Sequence, residues 1–417
     1  MQKRLDRYKI LALCLFFIVG IGIFPQLIKA DSHLSKQPIV IGLNADMSSG
    51  SAQAGESIKR GILVAIEELN QDGGLLGRLL QLKVADHRGI PARGRANVKK
   101  FAANSNVVAI VGGLHTPVML AEKKALFDTG KVKIPYLTPW AAGTPVVDNP
   151  WIFRVSVRDE YAGPFLVEKA LSLGYKNIAM LLERTPWGRG NEKSITAALK
   201  KSGMVPNTVQ WFRWKITEAQ VIQKLNEISK SQADVILLVA NAPEGATVIK
   251  SLAKQPKEQR LPVISHWGIT GGGFPERVGS DLGKVNLSFL QTYSFMNPTN
   301  ASKARQFMQQ AIQLFPEEIK SPADLTSPVG TAHAYDLIHL LARAIRQAKS
   351  ADRSLIRDNL ERLKRYQGLV RIYAPPFQAG QGRNHDALDV SDFNLSRFVF
   401  VNEQQGWVIQ PVTAKAP

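Results

Sequence analysis

Two α/β lobes, each a parallel β-sheet covered by helices on both faces, are what this sequence predicts. Three observations carry the reading: short strands that are apolar almost throughout, helices of 3.6-residue periodicity between them, and a restart of the same alternation near Trp151. A sheet with one wet face would alternate apolar and polar residues, and these strands do not. The length of 417 residues also exceeds what one hydrophobic core usually supports.

Ile39 to Ala45 reads as the first strand, and Ile58, Ile62, Ile66 and Leu69 recur at helical spacing until Gly73-Gly74 stops the helix. Leu79 to Ala85 reads as strand, Pro91 to Asn104 as helix, Val107 to Val111 as strand, Pro117 to Thr129 as helix and Ile134 to Thr138 as strand. The series resumes after Trp151 to Val155: helix Leu166 to Leu173, strand Ile178 to Leu182, and helices Lys193 to Lys201 and Val221 to Ile228. Strand Val235 to Ala240, helix Ala246 to Ala253 and strand Pro262 to Ser265 follow. Beyond them, Leu287 to Tyr293 reads as strand, Ser302 to Phe315 and Ala332 to Ala348 as helices, and Phe398 to Val401 with Trp407 to Ile409 as a terminal hairpin. The stretch Ala374 to Gly382, rich in Pro and Gly, breaks both helix and strand and is the candidate for a late crossing between the lobes.

An apolar run from Ile10 to Phe24 follows Lys3, Arg4, Arg7 and Lys9 and gives way to polar sequence at Asp31, the pattern of a secretory signal. The short span with Pro25 suits a leader cleaved after residues 1–30 better than a permanent anchor. Cys14 lies early in the run behind Leu11-Ala12-Leu13, whereas a lipoprotein signal places its cysteine at the end after a small residue, so no lipid attachment is expected. Cys14 is the only cysteine, so the mature chain has none to bridge and its stability must come from packed cores. No second apolar run of about eighteen residues follows, and no stable membrane insertion is expected after signal cleavage. The formal charge is +19, of which the leader supplies five basic residues against Asp6, leaving +15. These charges are spread over helix faces, as in Lys193, Lys200 and Lys201 or Arg343, Arg346 and Lys349, which argues against nucleic acid as a partner.

The segments IVIGLNADMSSGSAQAGESIKRGILVAIEELNQDGGLLGR, VAIVGGLHTPVMLA, IPYLTPWAAGTPVV, WIFRVSVRDEYAGPF and ADVILLVANAPEGATVI, in that order, resemble the periplasmic substrate-binding proteins of ABC importers. The likeness is to their branched-chain amino-acid/amide branch and covers essentially the whole chain after the leader. It implies the type I periplasmic binding-protein fold: two doubly wound parallel-sheet lobes joined by a three-crossing hinge, with the ligand in the cleft. By similarity the crossings fall near Ser156, Gln291 and Tyr373, giving an N-terminal lobe of 38–155 plus 292–372 and a C-terminal lobe of 156–291 plus 373–417. The partners implied are a small-molecule ligand and the membrane subunits of an ABC permease, with no cofactor.

Physical chemistry points to the same cleft, because in open parallel sheets ligands collect beyond the carboxyl ends of strands, where helix N-termini offer free N–H groups. Strand Val107 to Val111 ends in Gly112-Gly113-Leu114-His115-Thr116-Pro117, with Thr116 suited to cap the helix and Pro117 to open it. The resemblance matches Thr116 to the family position whose hydroxyl holds a ligand carboxylate, with His115 beside it. Trp140-Ala141-Ala142 matches the segment whose backbone and threonine bind the amino acid, and here Ala142 stands at the threonine position. Trp187 falls where the family carries an aromatic residue on the second lobe.

Two departures concern the α-amino clamp. Trp267 occupies the position of the family's ammonium-binding glutamate, and the usual tyrosine near Pro243-Glu244 is replaced around Asn241-Ala242. A desolvated ammonium needs a paired carboxylate, so leucine, isoleucine and valine are expected to bind weakly unless another acid, Glu183 or Glu244 first, takes the ammonium. Trp140, Trp187 and Trp267 are expected to converge as aromatic walls for a planar or methylated ligand. Arg184, Arg189 and His266 are candidates for an anionic group.

Enzyme signatures are missing from the sequence: the seven histidines contain no i,i+4 pair, and neither GxxxxGK nor GxSxG occurs. His333 and His339 read as packing or capping residues, and Asp86, His87 and Arg88 as a salt-bridged strand end. The function this supports is an extracytoplasmic receptor that captures a small polar or aromatic molecule and delivers it to an ABC permease. The alternative is a ligand-sensing receptor of the same fold coupled to a membrane signalling partner.

Overall fold

The computed structural model describes residues 37–143, 149–380, 384–403 and 406–412; the expected leader, with Cys14, lies outside them. β1 (Ile39–Ala45), α1 (Ala52–Gln71), β2 (Leu80–Asp86), α2 (Pro91–Ala103), β3 (Val107–Val111), α3 (Thr116–Phe127), β4 (Tyr136–Thr138) and β5 (Ile152–Arg154) build the first layer system. Its five strands run parallel in the order β2-β1-β3-β4-β5. α4 (Asp159–Ser172), β6 (Ile178–Glu183), α5 (Pro186–Lys201), β7 (Thr208–Phe212), α6 (Glu218–Lys230), β8 (Val235–Val239), α7 (Ala242–Ala253), β9 (Val263–Ser265), α8 (Phe274–Val278) and β10 (Leu287–Gln291) build the second. The chain continues through α9 (Ala301–Leu314), α10 (Pro328–Ala348), α11 (Arg353–Leu360) and a small pair, β11 (Tyr366–Gln367) with β12 (Ile372–Tyr373). It ends in the hairpin β13 (Asn394–Asn402) and β14 (Gly406–Pro411), which extends the second sheet antiparallel to β10 in the order β14-β13-β10-β9-β8-β6-β7.

Both sheets bury both faces, which is why their strands read as unbroken apolar runs. In β6, Ile178, Met180 and Leu182 belong to one cluster with Leu166, Ile195 and Leu199, while Ala179 and Leu181 belong to another with Val221, Leu225 and Val248. In the first sheet, Ile39, Ile41 and Leu43 cluster with Ile58 and Ile62 of α1 and Leu337 and Leu341 of α10, and Ile110 and Tyr136 cluster with Phe101, Met119 and Leu126. Among the described residues no helix is long and apolar enough to cross a membrane.

The differences from the sequence reading have local causes. α4, α5 and α7 begin at Asp159, Pro186 and Ala242, well before the expected Leu166, Lys193 and Ala246. Their first turns carry Gly, Pro, Asp and Asn instead of an apolar stripe, so periodicity does not register them. β7 was not anticipated because it is a sheet edge in which only Phe212 is fully buried; the eight-residue α11 was not anticipated either.

After β12 the chain runs along the edge of the first sheet before it enters the second. Arg154 N donates to His385 O at 2.8 Å and Ala387 N donates to Arg154 O at 2.8 Å. The Arg154 side chain is completely buried, its Nε donating to Asp386 Oδ1 at 2.5 Å and its Nη1 to the carbonyls of Ala141 at 3.2 Å and Gly143 at 3.0 Å. Asp386 also accepts from Arg158 Nη1 at 3.1 Å.

Removing one partner of a buried ion pair strands the other, at a cost of roughly 3–5 kcal/mol. Arg154→Met should therefore lower the free energy of unfolding by about that amount in chemical denaturation, and wild-type stability would refute the pairing as a structural requirement.

Candidate ligand-binding site

Loops leaving the carboxyl ends of β3 and β4 meet those leaving β6, β7, β8 and β9 around a narrow cavity of about 20 Å³. All eight residues singled out in the sequence line it. His115, Thr116, Trp140, Ala141 and Ala142 come from the first sheet's loops, and Trp187, Asn241 and Trp267 from the second's; Leu114, Pro117, Glu183 and Trp214 complete the wall.

The turn out of β3 depends on Gly113, whose φ of +76° is left-handed and whose missing Cβ would lie 2.6 Å from Thr138 Oγ1. The helix cap differs from expectation. His115, in extended conformation, is the cap residue of α3 and gives no side-chain capping bond, while Thr116 is the first helical residue. Among the described residues nothing in the protein holds the Thr116 hydroxyl, so the hydroxyl is not spent on capping. Trp140 is fixed through its carbonyl, which accepts from Ser156 Oγ at 2.8 Å. Trp140 and Trp267 pack with ring centroids 5.5 Å apart, Trp267 lies 5.5 Å from His333, and Trp187 meets His266 edge-on at 5.0 Å. Gly268 permits this column, since a Cβ there would lie 2.6 Å from Trp187 Cη2.

His115 Nε2 stands 3.5 Å from Asp46 Oδ2. Burial works to raise the Asp46 carboxyl, but hydrogen bonds from His115 and Ser49 outweigh it and hold Asp46 well below the usual carboxylate range. Across the cleft, Trp214 lies with its ring 5.6 Å from that of His115. It follows β7 in a turn where Lys215 has φ +62° and its N–H donates to Glu244 Oε1 at 2.8 Å.

Glu183 ends β6 with 1% of its surface exposed and accepts from Asn241 Nδ2 at 2.8 Å. Burial pushes its carboxyl up to about 7; hydrogen bonds from Trp214 and Thr185 oppose the rise, Glu244 adds to it and His115 opposes it.

The suggested anion-binding residues are not at this cavity. Arg184 and Arg189 are exposed, and His266 is fully buried behind Trp187, its Nε2 3.2 Å from Asp159 Oδ1. Glu244 lines a neighbouring cavity of about 380 Å³ that shares His115, Trp214 and Asn241 with the first. Trp214 escaped the sequence reading because β7 did; the alternation Thr208 to Phe212 was the signal for both. Among the described residues no group of three or more His, Cys, Asp or Glu side chains is arranged to hold a metal.

The family model described as periplasmic binding protein matches residues 38–390. The chain is 24% identical over 331 residues to the Leu/Ile/Val-binding protein BraC3 of Rhizobium johnstonii, covering 78% of this chain and 83% of that protein. Its fold is similar to a type 1 periplasmic binding protein from Bordetella pertussis, with a TM-score of 0.77 and 19% identity, covering 90% of this chain and all of the other. It is also similar to an ABC-transporter solute-binding protein from R. palustris in complex with 4-hydroxybenzoate, with a TM-score of 0.73 and 16% identity, covering 90% of this chain and 96% of that one.

The Glu183 carboxyl has a pH consequence. Its folded value of about 7 exceeds the ordinary 4.5, so the stability it confers is present below 4.5 and lost as pH rises through 7. Glu122, buried and pushed up to about 8, acts in the same direction. Glu183→Gln should thus shrink, without abolishing, the fall in unfolding temperature between about pH 5 and 8; a fall equal to that of wild type would contradict the assignment.

Proposed function

The chain belongs to the periplasmic binding protein family, and we propose that it is an extracytoplasmic receptor that captures a small polar or aromatic solute and delivers it to an ABC permease. It is a binding protein and not an enzyme. The observation that carries the proposal is the meeting of six strand ends, two from one sheet and four from the other, around one cavity. That is where parallel-sheet proteins bind ligands. The names and contents of the relatives, amino acids in one and an aromatic acid in another, support a small solute.

In this reading the two sheets are lobes that close on the solute. We place hinge crossings near Ser156 and Gln291, and the third between Leu388 and Asn394, beyond the stretch that pairs with β5. The solute touches both lobes and so binds the closed form better than the open one, which shifts the population toward closure and toward recognition by the permease. Export by the leader, with cleavage after Ala30, completes the proposal.

Closure has a direct readout. Small-angle scattering should show a smaller radius of gyration at saturating solute than in the stripped protein. An unchanged radius, with the stripped protein confirmed to be open, would count against the hinge.

Thr116 offers a second check, because it lines the cavity and its hydroxyl has no partner among the described residues. Thr116→Val keeps the shape and removes the hydroxyl. A lost hydrogen bond to a charged group costs roughly 1.5–3 kcal/mol, so affinity should fall about ten- to a hundredfold with the unfolding temperature unchanged. Wild-type affinity in calorimetry would remove Thr116 from the site.

A further inference from the structure

We propose that the solute carries a compact organic cation, an ammonium or methylated ammonium, which the Glu183 carboxylate holds against the tryptophan walls of the cavity. This rests on the cavity being the solute site and names the chemistry that site selects. Among the described residues that line it, Glu183 is the only acid and His115 the only base, with no lysine or arginine; Arg88 and Lys215 line the neighbouring cavity. His115 is already committed to Asp46 at 3.5 Å. An anionic solute would meet a carboxylate and no free cation. A neutral solute would leave Glu183 protonated and gain no ion pair from it. A cation gains that pair. The hydrogen bond from Asn241 Nδ2 holds the carboxylate in place, and Trp140, Trp187, Trp214 and Trp267 offer rings whose faces attract cations. The acid sits at the end of β6, while the position where the family resemblance expects one, at the end of β9, is Trp267.

The groups around Glu183 are Thr185 on its own turn, Trp214, Asn241 and Glu244 from the neighbouring loops, and His115 across the cleft. Because Glu183 has been pushed up to about 7, it is partly protonated at neutral pH. A bound cation favours the ionised form, so binding should release protons and tighten as pH rises.

Titration calorimetry with shape-matched pairs that differ by one positive charge tests the assignment on ligand-stripped protein: choline against 3,3-dimethylbutanol, glycine betaine against 3,3-dimethylbutanoate, and benzylammonium against benzyl alcohol. In at least one pair the cation should bind about tenfold or more tightly than its partner. Its affinity should rise between about pH 6 and 8, and Glu183→Gln should erase both effects while leaving the partner that lacks the positive charge within about twofold. Equal or tighter binding by the member of every pair that lacks the positive charge, or no binding by any cation at millimolar concentration, overturns the proposal. Should the variant fail to fold, wild-type titrations in buffers of different ionisation enthalpy decide: no proton release near neutral pH overturns it as well. Binding of benzoate or 3,3-dimethylbutanoate in preference to the cations would sink the cation while sparing the solute-receptor reading. A broad metabolite screen in which nothing raises the unfolding temperature would count against that reading itself.

Discussion

A single buried guanidinium ties the architecture to the cleft. Arg154 ends β5 with no exposed surface, and an ion so placed is tolerable only when its charge is matched. Its match comes from Asp386, more than two hundred residues later in the chain, and from the carbonyls of Ala141 and Gly143. The same contacts therefore fix where the returning chain lies along the first sheet and where the Ala141–Ala142 wall of the cavity stands. Backbone pairing of His385 and Ala387 with Arg154 adds direction to charge, so the segment can dock in one register.

The other wall is an aromatic column. Trp187, His266 and Trp267 follow one another, and Trp267 packs in turn on both His333 and Trp140, at ring separations of 5.0 to 6.2 Å. His333 anchors it as a neutral ring: burial pushes it down to about 4, its Nδ1 donates to Pro139 O at 2.9 Å and its Nε2 accepts from Thr292 Oγ1 at 2.9 Å. A charged ring in this place would lose the acceptor role toward Thr292 and stand unpaired beneath Trp267. Neutrality of His333 and packing thus support each other, and the column can hold large rings rigidly.

Much of this was legible in the sequence because both sheets are buried on two faces, which leaves an unmistakable run of apolar strands. The strand ends were legible for the same reason: once Val107–Val111 and Ile134–Thr138 are strands, His115, Thr116 and Trp140 must lie beyond them. Trp214 was not, because β7 is a half-exposed edge and its alternation is weak. The capping residue was misplaced by one because Thr followed by Pro is a strong local signal, whereas His115 is fixed by tertiary contact with Asp46. Arg184 and Arg189 looked available from their position after β6, but the helix that starts at Pro186 turns both to solvent. The Arg154–Asp386 pair could not have been read at all, since nothing local relates residues so far apart.

The cross-cleft contacts set the energetic terms of closure. His115 meets Trp214, Trp140 meets Trp267, and Ser327 Oγ donates to Thr270 O at 2.6 Å, contacts the protein makes with its own side chains. Such contacts lower the free energy of the closed form by themselves, so the solute has only to supply the remainder, and affinity is set as much by these residues as by those it touches. What these contacts do not supply is the counter-charge for Glu183. The interaction reserved for the solute is then electrostatic, while packing is largely provided by the protein. This division lets an aromatic cleft close readily yet remain selective, because aromatic packing accepts many shapes and a buried carboxylate accepts only one sign of charge.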